Sequence, residues 1–213
     1  MKRMIKNGIY LVVDPAMPLM KLLPLLEQVL EAGVSTVQVW DHFPAGCDPV
    51  AYTRAIMDIG KKFNVPVLIN QNIALFFETG ADGIHFDQVP NQYDKLREQA
   101  GPDSIIGITC GNDMERVQWA AENNIDYISF CSMFPSASAG VCEIVNPANI
   151  LKAREIFSGK IFLSGGITPA NMANLAPLKT DGIAVISGIL SAADPAGAAR
   201  NYLNTFEQQA TVL

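Results

Sequence analysis

A chain of 213 residues, 49% of them hydrophobic, is long enough to bury one substantial core, and a single domain over 1–213 is the expected organisation. A formal net charge of −6, with 17% charged residues and no basic cluster, argues against a nucleic-acid or anionic-membrane surface. The N-terminal MKRMIKNGIYLVVDP holds too short an apolar run for a signal peptide and no segment reaches transmembrane length; Cys47, Cys110, Cys131 and Cys142 have neither disulfide-scaffold density nor zinc-site spacing, so reduced thiols in a cytoplasmic protein are expected.

Apolar β-rich runs alternate with helical patterns from end to end. Residues 9–13 read as the first strand, and Leu19, Leu22, Leu23, Leu26, Val29 and Leu30 then recur at helical spacing, with Pro24 in or near the first turn. A second strand spans 34–40, and Asp48-Pro49 starts a helix that runs to about residue 63. The third strand is 65–69, before a short helix over about 73–78; the fourth is 83–86, before a polar helix over about 91–99. After a fifth strand at 104–108, Asn112 with Glu115 three residues on resembles a capping box, opening a helix whose apolar face includes Val117, Ala120 and Ala121. Residues 127–130 make the sixth strand, and Asn146-Pro147 opens the sixth helix.

The stretch KIFLSGGITPANMANLAPLKTDGIAVISGIL, from Lys160, supplies strands at 161–163 and 182–186. The first ends at Ser164-Gly165-Gly166-Ile167, followed by Thr168 as an expected N-cap and Pro169 in a first turn; the second ends at Ser187-Gly188. Two such turns side by side expose backbone N–H groups that attract phosphate, and glycine lets the anion approach. A last helix starts at Asp194-Pro195.

Gly80-Ala-Asp-Gly-Ile84, Asn124-Ile-Asp-Tyr-Ile128 and Lys179-Thr-Asp-Gly-Ile183 each end a helix and enter an even-numbered strand, with Ala32-Gly-Val-Ser-Thr-Val37 as a weaker copy. Eight strand–helix pairs with this quarter repeat predict a closed (β/α)8 TIM barrel, smaller than the roughly 250 residues usual for that fold. An open doubly wound sheet is the alternative, but no G-x-G-x-x-G turn follows the first strand. In a barrel the site lies at the carboxyl ends of the strands. That rule names Gln38, Trp40, Asp41, His42, Asn70, Gln71, His85, Asp87, Thr109, Cys110, residues 132–138, the two glycine turns and Ser187.

GIYLVVDP, STVQVWD, VPVLINQN, GADGIHFDQ, SIIGIT, IDYISFCSMFPS, IFLSGGITPANM and DGIAVISGI together resemble the thiamine phosphate synthase family, which includes the thiazole tautomerases. The resemblance covers almost the whole chain in the family's order and spacing. It implies a protein of thiamine biosynthesis and, in active members, a transferase that joins a pyrimidine diphosphate to a thiazole phosphate with Mg²⁺. By position, Gln38 resembles the family's pyrimidine-contacting glutamine, Asn70 its diphosphate-contacting asparagine, and Thr109 a usual small hydroxyl residue. Ser136 and Ser138 stand for a threonine pair near the thiazole phosphate, and Gly165, Gly166, Ile186 and Ser187, with Gly188, match the phosphate cradle. A homodimer is implied by the resemblance only.

The chain departs from the family on the diphosphate side. Trp40 and His42 stand where arginine and lysine are usual, Gln71 and Pro90 where the two metal-binding aspartates fall, and Ala139 where a lysine follows the threonine pair. Mg²⁺ needs hard anionic oxygens, so no metal ligand is assigned, no cofactor is expected, and Mg²⁺ is implied only if synthase activity survives. Asp41 or Asp87 near the mouth could take over a metal or serve as catalytic groups, or be a solvated carboxylate or N-cap. The tautomerases' catalytic histidine falls on or near Ser132. His85 reads as a hydrogen-bonded interior residue and His42 as a weak, pH-dependent cation; Trp40, on the same strand face as Gln38, can stack on a flat ring or pack the wall. The sequence thus predicts a synthase-like protein that binds a small phosphorylated ligand, thiazole phosphate or thiamine phosphate. Its alternatives are a catalytically silent binding or regulatory homologue and an isomerase-type phosphate-substrate barrel using Asp41 or Asp87.

Overall fold

The computed structural model describes residues 4–135 and 143–211; Ser136, Ser138, Ala139 and Cys142 lie outside them. The apolar runs become parallel strands β1 Gly8–Val13, β2 Thr36–Val39, β3 Val67–Asn70, β4 Gly83–Phe86, β5 Ile105–Thr109, β6 Tyr127–Phe130, β7 Lys160–Ser164 and β8 Gly182–Val185. Each pairs with its neighbours in chain order, and β8 closes on β1 with Tyr10 opposite Ala184. The expected (β/α)8 barrel is therefore the observed one.

Helices α1 Leu19–Glu31, α2 Pro49–Phe63, α3 Ile73–Thr79, α4 Tyr93–Ala100, α5 Met114–Glu122, α6 Pro147–Ile156, α7 Ser187–Leu190 and α8 Pro195–Thr211 follow the strands, with a 3₁₀ helix over Met172–Leu178 between β7 and β8. Short polar side chains start several of them: Asp48 accepts from the N–H groups of Val50 and Ala51, Asn72 from Leu75, and Asn146 from Ala148. Three details differ from expectation. Pro24 lies inside α1, whose cap is Pro18; the carbonyl its missing N–H leaves behind belongs to Met20, on the exposed face of the helix. The cap of α5 is Asp113, whose carboxylate accepts from Arg116 N–H, while Asn112 bridges instead to Asn146 and Asn149. No α-helix starts at Thr168: its hydroxyl and carbonyl receive Asn171 and Met172 N–H groups in a turn. A 3₁₀ segment, Met172–Leu178, takes the helix's place.

The quarter repeat has a structural cause. Asp82, Asp126 and Asp181 each stand one residue before an even strand, and their carboxylates accept the N–H groups of Val67, Ile106 and Ile161 at the starts of β3, β5 and β7. Each aspartate's own N–H returns a bond to the same residue's carbonyl. In the weaker copy Ser35 holds that backbone bond to Ile9, but its hydroxyl donates to the Ile9 carbonyl rather than accepting. The repeat therefore pins the register of consecutive strand pairs at the amino end of the barrel.

Strand alternation sends one set of side chains outward against the helices, among them Ile9, Leu11, Val37, Val67, Ile84, Ile106, Ile128 and Leu163, all fully buried or nearly so. The other set fills the barrel with Tyr10, Leu68, Ile105, Tyr127 and Phe162. Tyr10, Tyr127 and Phe162 meet edge-to-face with centroids 5.5–5.8 Å apart. Room for these rings comes from glycines on neighbouring strands: a Cβ at Gly107 would stand 2.0 Å from the Tyr127 ring, and one at Gly182 2.5 Å from the Phe162 ring. This aromatic plug is the floor of everything above it.

Candidate active site

Above the plug the inward positions turn polar. Gln38, Asn70, His85, Thr109, Ser129 and Ser164 come from β2 to β7 and line, with Tyr10, Trp40, Asp87, Cys131, Phe162 and Ile186, a cavity of about 490 Å³. Gln38, Asn70 and His85 are all at most 7% exposed, so each needs partners within the barrel. Trp40 follows Gln38 on the same face, as alternation requires, and its ring meets His42 edge-on at 4.0 Å.

A second cavity of about 310 Å³ adjoins the first, sharing Ala184 and Ile186, and is lined by Gly165, Gly166, Ile167, Thr168, Ser187 and Gly188. Gly165 and Gly166 have φ of 88° and 67°, the left-handed region that glycine enters without strain. The turn is held from behind: Phe134 N–H donates to the Gly165 carbonyl, Asn171 to that of Gly166, and the Tyr202 hydroxyl to that of Ile167. Ser187 and Gly188 open α7, whose first-turn N–H groups have no preceding turn to bond. The structure thus brings both glycine turns and the ring-sized cavity to one end of the barrel.

The carboxylates divide. Asp41 is exposed and accepts from Asn72. Asp87 lines the cavity and accepts from both the Asn70 and Gln71 amides. Arg116 lies close by, donating to the backbone carbonyls of Asp87 and Thr109 and pairing with Asp113. Ser132, near the tautomerase position, is fully buried with φ of 71°, and its backbone packs against Gly165.

His85 is more than a packed interior residue. Its Nδ1 lies 2.8 Å from the Tyr127 hydroxyl and its Nε2 2.9 Å from Thr109 Oγ1, while the imidazole stacks on the Tyr127 ring. Burial lowers its pKa from an ordinary 6.5 to about 4, against a smaller raising effect of Asp87. The folded state thus holds the ring neutral where the unfolded chain would protonate it. Stability from this residue is complete above pH 6.5 and is lost as pH falls towards about 4, by about 3 kcal/mol in all. Denaturant midpoints recorded from pH 7 to 4 should fall less steeply in His85→Gln than in the unmodified protein; equal slopes would show that His85 does not carry this dependence.

Sequence reasoning named the rim and the buried Gln38, Asn70 and His85, and missed two tyrosines of the interior. Tyr10 and Tyr127 sit in apolar strands and read as packing; the available signal was parity, since Tyr10 shares the inward face of β1 with Val12, the register partner of Gln38. Arg116 gave no signal, because it reaches the mouth from a helix face.

Fold and site define a (β/α)8 barrel whose carboxyl end joins a glycine-lined pocket to a ring-sized cavity. The model of the thiamine monophosphate synthase family matches residues 9–189. Thiamine-phosphate synthases of Methylobacillus flagellatus and Xanthomonas campestris are each 30% identical, over 200 and 206 residues, covering 94% and 95% of this chain and 95% and 97% of theirs. Thiamine phosphate pyrophosphorylase from Pyrococcus furiosus superposes with a TM-score of 0.81 at 20% identity, covering 96% of this chain and 98% of that one. The chain belongs to the thiamine monophosphate synthase family.

Proposed function

We propose that this protein binds thiazole phosphate or thiamine phosphate, with the phosphate against the two glycine turns and the ring in the adjoining cavity, and that the half of the site that would hold a diphosphate and its Mg²⁺ is degenerate. The observation that carries the reading is the cavity wall: among the described residues its one charged lining group is Asp87, and no lysine or arginine lines it. A departing diphosphate needs positive charge close by, and here Trp40 and His42 offer an aromatic edge. The glycine turns need no cation to hold a monoester, because their N–H groups supply the field.

The residues fit Mg²⁺ poorly. Gln71 aims an amide N–H at Asp87, Asn70 does the same, and Pro90 has no side-chain ligand, so the nearest carboxylate is met by donors rather than by further anionic oxygens. Ser136 and Ser138 remain proposed phosphate partners from the resemblance, and Thr109 and Gln38 proposed ring contacts.

A second reading, a working synthase, is favoured by the match over residues 9–189 and by Asp87 facing the cavity. Incubation with the pyrimidine diphosphate and thiazole phosphate across a range of Mg²⁺ concentrations separates the two. The degenerate site is expected to form no thiamine phosphate above the uncatalysed background and to leave a synthase-deficient strain uncomplemented; Mg²⁺-dependent turnover would establish the transferase instead.

A further inference from the structure

Along the cavity wall six side chains touch in sequence, and all but Tyr127 line the cavity. The Tyr10 hydroxyl donates to Gln38 Oε1 and lies 2.8 Å from the Tyr127 hydroxyl, which lies 2.8 Å from His85 Nδ1. His85 Nε2 is 2.9 Å from Thr109 Oγ1, and that oxygen is 3.1 Å from Ser129 Oγ. Both ends, Gln38 and Ser129, line the same cavity.

A hydroxyl has one proton to donate, and a neutral imidazole has one N–H and one acceptor nitrogen. Tyr10 spends its proton on Gln38, so it must accept from Tyr127. Tyr127, having donated to Tyr10, must accept from His85 Nδ1. His85 Nε2 is then the acceptor, taking the Thr109 proton, and Thr109 accepts from Ser129. One direction at Gln38 dictates all the rest. The reverse direction would need the Gln38 amide turned over, with its N–H₂ on the Tyr10 oxygen and its carbonyl towards the ligand, whereas the structure places Oε1 on the Tyr10 hydroxyl.

We infer that these residues form one directional hydrogen-bond chain in which the His85 tautomer sets the face that Gln38 shows to the ligand, making His85 and Tyr10 positioning residues for ring selection. With Nδ1–H on His85, Gln38 offers its amide N–H₂. The ring that fits presents an acceptor there, such as an unprotonated ring nitrogen or an exocyclic oxygen, and a ring presenting N–H at that edge is rejected. This extends the proposed placement of the ring in the cavity.

Nitrogen-15 spectra of the ligand-free protein test the chain without reference to any ligand. The chain has 2 histidines, so the signal lost in His85→Gln identifies the ring. The unmodified protein is expected to show the Nδ1–H tautomer. Tyr10→Phe removes the acceptor for the Tyr127 proton, which then turns to His85 Nδ1 and drives the ring to Nε2–H. Gln38→Leu should flip the ring by the same route should Tyr10→Phe fail to fold, whereas Gln38→Glu, which keeps an acceptor, should retain Nδ1–H. An Nε2–H ring in the unmodified protein, or an unchanged tautomer in a folded Tyr10→Phe or Gln38→Leu variant, overturns the inference. Thiamine phosphate titrated into Gln38→Glu should then bind at least tenfold more weakly than to the unmodified protein. Failure of thiamine phosphate to bind the unmodified protein would count against the ligand assignment alone, since the spectra still decide the chain.

Discussion

Replacing Gly166 by valine is expected to weaken thiamine phosphate binding at least 100-fold, about 2.7 kcal/mol. A Cβ at this position would stand 2.6 Å from the Phe134 carbonyl oxygen and 2.9 Å from its Cβ, and φ is 67°, a region a β-branched residue strongly avoids. Neither conflict is relieved by a rotamer change, because the nearest atoms are backbone held by the Phe134-to-Gly165 hydrogen bond. The turn must open, and its N–H groups then diverge from the point on which a phosphate would sit. Calorimetric titration should report the loss in a variant whose far-ultraviolet circular dichroism is still that of the barrel. Binding retained within threefold would mean that the anion is not held at this turn.

Gly107→Ala is expected to cost about 3 kcal/mol of stability, the upper range for overpacking, and to lower Tm by roughly 6–12 °C. The added methyl would lie 2.0 Å from Tyr127 Cζ and 2.2 Å from Cε1. Tyr127 has no room to yield: it is fully buried, locked edge-to-face between Tyr10 and Phe162, and stacked on His85. Displacing the ring also pulls its hydroxyl from His85 and Tyr10, so the cavity floor is disturbed along with the core. Gly46→Ala is the fitting comparison, with nothing within 4 Å of its Cβ and a φ of 83°, and should cost only the backbone strain of about 1 kcal/mol. Equal melting temperatures for the two variants would contradict this view of the barrel interior.

The architecture was legible because parallel strands buried on both faces leave unbroken apolar runs, and because the aspartate of each quarter repeat performs the same backbone task at three places. Strand alternation also put Gln38 and Trp40 on one wall correctly. What escaped were choices between neighbours of similar chemistry. Asn112 and Asp113 can both cap a helix, and only the tertiary bonds of Asn112 to Asn146 and Asn149 decide for Asp113. Thr168-Pro169 reads as a helix start, yet its turn is tied to Asn171 and the chain continues as a 3₁₀ helix. The chain through Tyr10, Tyr127 and His85 was hidden for a deeper reason. A tyrosine in an apolar strand is indistinguishable from packing until closure of the barrel brings β1, β4 and β6 to a common axis.

Titration of the protein by isothermal calorimetry, with and without Mg²⁺, bears most directly on the proposed asymmetry of the site. Thiazole phosphate or thiamine phosphate should bind with an affinity that Mg²⁺ leaves unchanged, while the pyrimidine diphosphate should bind orders of magnitude more weakly than a site with its cations would allow, given the roughly 1.5–3 kcal/mol that each charge-assisted hydrogen bond contributes. Tight binding of the pyrimidine diphosphate that appears only when Mg²⁺ is added would contradict the account and restore a complete synthase site.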